Sequence, residues 1–308
     1  LGSEGDPMSE QGIIEQVALR PGMAQQLHRG SKGLLRFTRT QPLGSVGMAI
    51  CLLALIMGTF APWVARYDPN KGDSLERLQA PSAKFWFGTD ALGRDLYSRI
   101  VAGARISLYV AFFSIAIGTT LGYLVGMVSG YLGGKVDLIL ERIVDAMLAF
   151  PAILLALALV SVLGAGLDKV ILAISITFLP RSARVSRGVV LSVKENVYVD
   201  ASRVIGASNL RIMLRHVLPN SLAPFLILAS LALGTAILTE ASLSYLGLGV
   251  PPPHASWGRE LSGSAQSFAL VAPWLMIFPG IAIMLVVLAF NVFGDSLRDV
   301  WDPRLRGS

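Results

Sequence analysis

Glu240 is the residue whose surroundings make an ionisable group most expensive. It follows an apolar run that begins near Leu222, about 18 residues or roughly 27 Å of helix, which puts it near one end of a membrane-length segment. A carboxylate at that depth is costly unless it faces protein or water. Two uses fit: Glu240 faces a water-filled path or its gate and meets a cation there, or it hydrogen-bonds a neighbouring subunit. A second charged group comprises Gly88, Thr89, Asp90, Gly93, Arg94, Asp95, Ser98 and Arg99. Its charges alternate in sign at helical spacing, which predicts the pairs Asp90 with Arg94 and Asp95 with Arg99. Such pairs either close a structural turn or offer a charged surface to another protein, where complementarity sets register and on-rate. Arg181, Arg184 and Arg187 recur every three residues, one stripe near an aqueous end or a protein-lined cavity.

Other chemistries lack their residues. The sequence contains no GxxxxGK[ST] phosphate loop, so any ATP-driven force must come from elsewhere, and no HExxH, CxxC or EF-hand pattern. The single cysteine, Cys51, excludes a disulfide framework and a cysteine-based metal cluster. Ser114, Ser161 and Ser175 lie in apolar runs, whereas His28, His216 and His254 lie in aqueous segments, so no serine has a base to activate it. The expectation is a chain with no catalytic residue, no metal site and no cofactor of its own.

The elements that position these residues follow from hydropathy. Apolar residues make up 53% of the 308-residue chain and charged residues 15%, against roughly a quarter charged in soluble domains. A bilayer core needs about 20 apolar helical residues. Six stretches approach that length: Gly44 to Val64, Ile106 to Ser129, Ala146 to Leu163, Val170 to Leu179 extending through Val193, Leu222 to Tyr245, and Leu270 to Phe293. The predicted fold is all-α and polytopic, with six transmembrane helices. Pro151, Pro180, Pro219, Pro273 and Pro279 sit in or beside the spans, where kinks are tolerated if neighbours satisfy the freed carbonyls.

Lys and Arg counts set the orientation, because cytoplasmic segments retain positive charge. With both termini cytoplasmic, 17 of the 26 basic residues fall inside. The outer loop from Arg66 to Arg105 carries seven, but it is long and also carries Asp68, Asp73, Glu76, Asp90 and Asp95. The net charge of +6 is therefore an orientation signal toward a lipid bilayer rather than a nucleic-acid signal. This divides the chain into an N-terminal arm (1–43, its first seven residues reading as a cloning remnant), a membrane domain (44–294) and a tail (295–308). Within the arm, Ser9 to Leu27 suits either a short surface helix or a frayed segment. Gly294, Asp295, Arg298, Asp299, Asp302, Pro303 and Arg304 form a mixed-charge cluster that would hold the tail by local pairing.

The cytoplasmic loop 196–220 contains two short helical patterns. Val197, Ala201, Val204 and Ile205 precede Gly206; Leu210, Met213, Leu214 and Val217 follow it. Gly206 permits the turn, and Pro219 should end the second pattern ahead of the next span. The apolar face either packs on the protein's own cytoplasmic ends or meets another molecule. Here Asp200, Ala201 and Ser202, then Gly206, His216, Leu218 and Pro219, resemble the EAA loop of bacterial ABC-importer permeases, which docks into a cleft on a cytoplasmic ATPase. This sequence departs from that pattern with Asp for Glu, Ser for the second Ala, and His216 at the usual Ile position.

Three further segments are similar to those of the dipeptide/oligopeptide permease subunits: FGTDALGRDLYSRIVAGARISL (Phe87 to Leu108), ILTEASLSYLGLGVPPPHASWG (Ile237 to Gly258) and FNVFGDSLRDVWDPRLRG (Phe290 to Gly307). The resemblance implies a type I ABC importer permease in a bacterial inner membrane. It further implies a homologous permease partner, two cytoplasmic ATPase subunits that bind ATP and Mg, an extracytoplasmic substrate-binding protein, and peptide cargo. Nickel chelates, glutathione or other small solutes are alternative cargoes. A secondary transporter or channel would instead require intramembrane ion coupling or an inverted repeat, and Glu240 alone does not amount to either.

Overall fold

The computed structural model of the chain describes residues 37–301. The surface helix expected in the N-terminal arm, and Asp302, Pro303 and Arg304 of the tail, lie outside the described residues. Among the described residues the regular structure is helical: α1 (Pro42–Thr59), α2 (Ala61–Val64), a 3-10 turn (Ser74–Glu76), α3 (Leu96–Leu132), α4 (Gly134–Leu148), α5 (Ala152–Leu163), α6 (Leu167–Lys194), α7 (Val197–Val204), α8 (Asn209–Ile212), a π turn (Met213–Val217), α9 (Leu218–Tyr245), α10 (Trp257–Glu260), α11 (Ser264–Ser267) and α12 (Trp274–Trp301). Four runs are long and apolar enough to cross a bilayer: Pro42–Thr59, Leu96–Leu132, Asn209–Tyr245 and Trp274–Val300.

The largest helix contact is between α3 and α6. Gly118, Gly122, Gly126 and Gly130 recur every fourth residue on α3 and lie against α6 at Ser175, Leu179, Ala183 and Arg187 respectively. A Cβ at any of the first three would collide with the facing carbonyl oxygen, and one at Gly130 would sit 3.0 Å from that of Arg187. The four glycines thus let two backbones approach as far as small-residue helix pairs in membranes do. The register advances in the same direction on both helices, so α3 and α6 are parallel. Midway along the pair Ser182 Oγ donates to the Thr119 carbonyl (2.7 Å), and at its end Lys194 Nζ donates to that of Tyr131 (2.7 Å). Helix α1 runs opposite to α3, with Gly58 against Arg105 and Gly44 against Ser296 of α12. The first and last described helices therefore have their outer termini at the same end.

The expected third span, Ala146 to Leu163, is not one helix. Helices α4 and α5 meet at 90° across Ala149 to Pro151. Pro151 has no N–H to continue the ladder and is extended (φ −55°, ψ 129°), and the helix restarts at Ala152. The stretch expected as the fourth span is one continuous helix, α6, which carries Pro180 without breaking but is not among the runs apolar enough to cross a bilayer. The second span begins earlier than Ile106, at Leu96, because Asp95 caps it. The sixth helix runs past Phe293 to Trp301, so the first residues assigned to the tail are helical.

Candidate functional site

The helix-turn-helix between α6 and α9 is held by a small core of its own at the α3 C-terminal end. Val199, Ile212, Met213 and Val217 bury against Tyr123, Met127, Tyr131 and Val190. Helix α7 ends on Gly206 in the left-handed region (φ 81°), with Ala207 N–H donating to Ser202 O and Gly206 N–H to Arg203 O, the bonding pattern of a glycine C-cap. Ser208 then caps α8 through Arg211 N–H. Contrary to expectation, Pro219 does not end the second pattern. The Leu218 N–H reaches back to Met213 O, a π turn that absorbs the donor missing at Pro219, and α8 runs into α9.

The apolar residues of this unit divide in a way the periodicity did not show. Val197, Val204 and Ile205 are 83%, 87% and 83% exposed, and Leu210 and Leu214 are exposed as well. Asp200, Ala201, Gly206 and Pro219 are also exposed, Leu218 and His216 are half-buried, and Ser202 is buried. Ser202 Oγ lies 3.3 Å from His216 Nε2, and the Asn220 amide donates to the His216 carbonyl (2.6 Å). Asp200 pairs locally with Arg203 at 2.7 Å. The result is a rigidly mounted knob with an apolar outer face.

At the opposite end, Thr89, Asp90, Asp95, Ser98 and Arg99 are all buried. Asp90 pairs with Arg94 (2.6 Å), as the spacing predicts, although in a turn: its other oxygen accepts from Leu92 and Arg94 N–H. Asp95 and Arg99 do not pair. Asp95 accepts from the Ser98 N–H and hydroxyl (2.9 and 2.6 Å) as the N-cap of α3. Arg99, 1% exposed, donates two bonds to Glu260 (2.9 and 2.8 Å) and one to the Pro69 carbonyl (2.8 Å). Glu260 lies 161 residues away in sequence, and no local spacing points to it. Burial, assisted by Arg99 and Arg94 and opposed by Glu260, lowers the pKa of Arg259 beside this cluster. Gly88 and Gly93 take positive φ (78° and 73°) where the loop folds back on Gln79 and Asp73. A cavity of about 760 Å³ opens at this end, with Arg105, Tyr109 and His254 among its walls.

Glu240 is turned into its own chain rather than toward a surface. It is wholly buried and accepts hydrogen bonds from Ser107 Oγ (2.9 Å) and Ser244 Oγ (2.7 Å). Ser107 also accepts from Trp257 N–H, and Ser256 donates to Ser244. The carboxylate therefore fastens α3, α9 and the turn before α10 to one another.

The arginine stripe meets a matching column of acids on α4. Arg187 donates two hydrogen bonds to the Asp137 carboxylate (both 2.7 Å) with Glu141 at 3.8 Å, and Arg184 pairs with Asp145. Arg181 makes no ion pair among the described residues. Of the C-terminal group, Asp295, Arg298 and Asp299 are exposed on the last turns of α12 and make no ion pair among the described residues, while Asp302 and Arg304, their expected partners, lie outside these. Gly294 lets α12 approach Leu231 of α9. The glycine ladder of α3 was missed in the sequence, although its i, i+4 spacing is visible there.

Comparison with known proteins bears on the whole chain. Residues 118–307 match the family of binding-protein-dependent transport system inner membrane components, and residues 34–81 match the N-terminal transmembrane domain of oligopeptide transport permease C. The dipeptide transport system permease protein DppC of Alkalihalophilus pseudofirmus is 45% identical over 264 residues, 86% of each chain. The probable D,D-dipeptide transport system permease protein DdpC of Escherichia coli is 41% identical over 293 residues, 95% of this chain and 97% of its own. A glutathione transport system permease protein, GsiD, also from Escherichia coli, is 42% identical over 270 residues, 87% of this chain and 89% of its own. A chain of the inward-facing MetNI methionine ABC transporter shares the fold, with a TM-score of 0.50 and 19% identity over 65% of this chain and 94% of that one. Matches of this length and identity, on a bundle of membrane-length helices, settle the family: the chain belongs to the binding-protein-dependent transport system inner membrane components.

Proposed function

We propose that the chain is one permease half of an ABC importer for short peptides. It would pair with a homologous permease, be driven by two cytoplasmic ATPases and be fed by an extracytoplasmic binding protein. The dipeptide and glutathione transporters among its relatives share an amide-linked, peptide-sized cargo, which supports this class. The helix directions support a reading with six crossings and both ends on the cytoplasmic side. Because α3 and α6 are parallel with a constant offset, the start of α6 lies level with α3 roughly 22 residues before its end. The chain between them climbs about 33 Å at 1.5 Å per residue, enough to recross a hydrocarbon core of about 30 Å. The bent α4 and α5 pair makes that return, and α1, α3, α6, α9 and α12 supply the other five crossings.

The observation that carries the reading is the mounted knob. Val199, Ile212, Met213 and Val217 clamp it to α3 and α6 while Val197, Val204, Ile205, Leu210 and Leu214 face outward. An exposed apolar face at the basic end of the bundle is what an ATPase cleft requires, and rigid mounting transmits displacement to the helices. The ATPase drives the pore to the extent that it binds this face differently in its two states. Val204→Asp with Leu210→Asp should release the ATPases on purification while the partner permease stays bound. Retention of both at wild-type stoichiometry would refute the assignment.

A further inference from the structure

Arg181 stands out in an otherwise neutralised column. Successive arginines spaced by three shift about 60° around a helix of 3.6 residues per turn, so Arg187 faces the α4 acids and Arg181 has turned away from them. Helix α4 itself ends at Leu148 and bends off by 90°, leaving no acid beside Arg181. It is nevertheless the member deepest in α6, farthest from the Lys194 end, and it is exposed on this chain. An arginine facing lipid at that depth is expensive, so it faces a water-filled path or a protein-lined cavity.

A cavity is present. About 220 Å³ lies between α3, α6, α9 and α12 and opens to the surface beside Arg181 and Thr235, with Thr119, Ser182 and Asn291 as its other polar walls. Thr119 and Ser182 have spent their hydroxyl protons on the carbonyls of Ile115 and Thr119. Among the described residues the side chains of Arg181, Thr235 and Asn291 make no hydrogen bond, and neither Asp nor Glu lines the space. The cavity therefore offers a guanidinium fork, an amide and a hydroxyl, with one positive charge and no negative one. It is smaller than the roughly 300–1,000 Å³ of sites that enclose a whole drug-sized ligand, so it suits one end of a molecule.

We propose that Arg181, with Asn291 and Thr235, binds the terminal carboxylate of the cargo as it crosses the inner half of the pathway. The proposal deepens the peptide-importer reading and rests on it. A bidentate Arg to carboxylate pair fixes orientation as well as charge, so the site selects cargo with a free C-terminal carboxylate.

The test uses the complete importer in proteoliposomes, with uptake of trialanine and of its C-terminal carboxamide. Each rate is normalised to wild type so that any preference of the binding protein cancels. Arg181→Gln should slow trialanine about tenfold or more, the loss expected for a charge-assisted hydrogen bond, and leave the carboxamide unchanged. Arg181→Lys keeps the charge without the fork and should give a smaller loss in the same direction. It carries the test if the Gln variant fails to assemble. An equal fall for both cargoes would mean that Arg181 serves the protein rather than the cargo's carboxylate, and no fall for either would mean that the cavity binds no carboxylate in transit; each overturns the proposal. Failure of the wild-type complex to import either peptide would instead count against the importer reading.

Discussion

Glu260→Gln tests whether the outer end of the bundle is held by the buried pair with Arg99. Both side chains are nearly inaccessible, 1% and 6% exposed, so the surface value of an ion pair, about 0–1 kcal/mol, does not apply. Removing one partner of a buried pair costs about 3–5 kcal/mol, because the other charge is left uncompensated. Two features reduce that figure here. Arg99 keeps its bond to the Pro69 carbonyl, and Asp90 stands 3.9 Å away. A Gln also retains one acceptor. The expected loss is therefore at the lower end, about 3 kcal/mol, read as a shift of the unfolding midpoint of the purified chain in detergent, with limited proteolysis of the 66–95 loop as a second probe. Replacing both partners with apolar residues, Arg99→Met with Glu260→Leu, should recover much of that loss, since desolvation offsets most of the attraction in such pairs. A single-variant cost below about 1 kcal/mol, or a double variant as unstable as the two singles summed, would show that Arg99 is not held in the way described.

Three further substitutions probe separate links. Gly122→Val drives a side chain into the Leu179 carbonyl and should abolish assembly, whereas Gly188→Ala, with nothing within 4 Å, should be silent; equal yields of the two would refute the close approach of α3 and α6. Gly206→Val forces a β-branched residue into φ 81° at a cost of about 1–3 kcal/mol, with no steric contact to blame, and should leave ATP hydrolysis running while peptide uptake falls. Wild-type coupling in that variant would remove the lever role of the turn. Glu240→Gln keeps an acceptor for Ser107 and Ser244 and should leave both assembly and uptake near wild type. An intact complex that no longer transports would return Glu240 to the pathway.

Four apolar runs gave their helices from hydropathy alone, because a lipid-spanning helix needs little beyond length and apolarity. The turn at Gly206 was equally legible, since only a residue tolerant of positive φ closes a C-cap there. The bend at Pro151 was written in the sequence too, but the apolar residues on both sides of it read as one run, and composition carries no direction. Asp95 and Arg99 show a different limit. Helical spacing proposes the pair, yet an N-cap carboxylate is already engaged by Ser98, and the real partner lies on another helix. The position of Glu240 near the end of an apolar run was legible, while the hydroxyls that enclose it come from segments more than a hundred residues apart.

Two departures share a physical cause. The stripe Val197, Val204 and Ile205 has the spacing of a buried face and is exposed; Arg181 has the spacing of a paired column and is unpaired among the described residues. Periodicity reports that a face is to be covered or a charge answered, not by which molecule. Within this chain the covering of α7 falls to Val199 and Ser202 on the other side of the helix, and the α4 acids answer only Arg184 and Arg187. The residues that break the single-chain pattern are thus the ones reserved for something outside it. An apolar patch at the basic end suits a protein cleft, and a lone guanidinium inside the apolar layer suits an anion in transit. The substitutions at Leu210 and Arg181 separate these two roles, because the first should remove the motor and leave cargo preference undefined, whereas the second should leave the motor attached and change which cargo it moves.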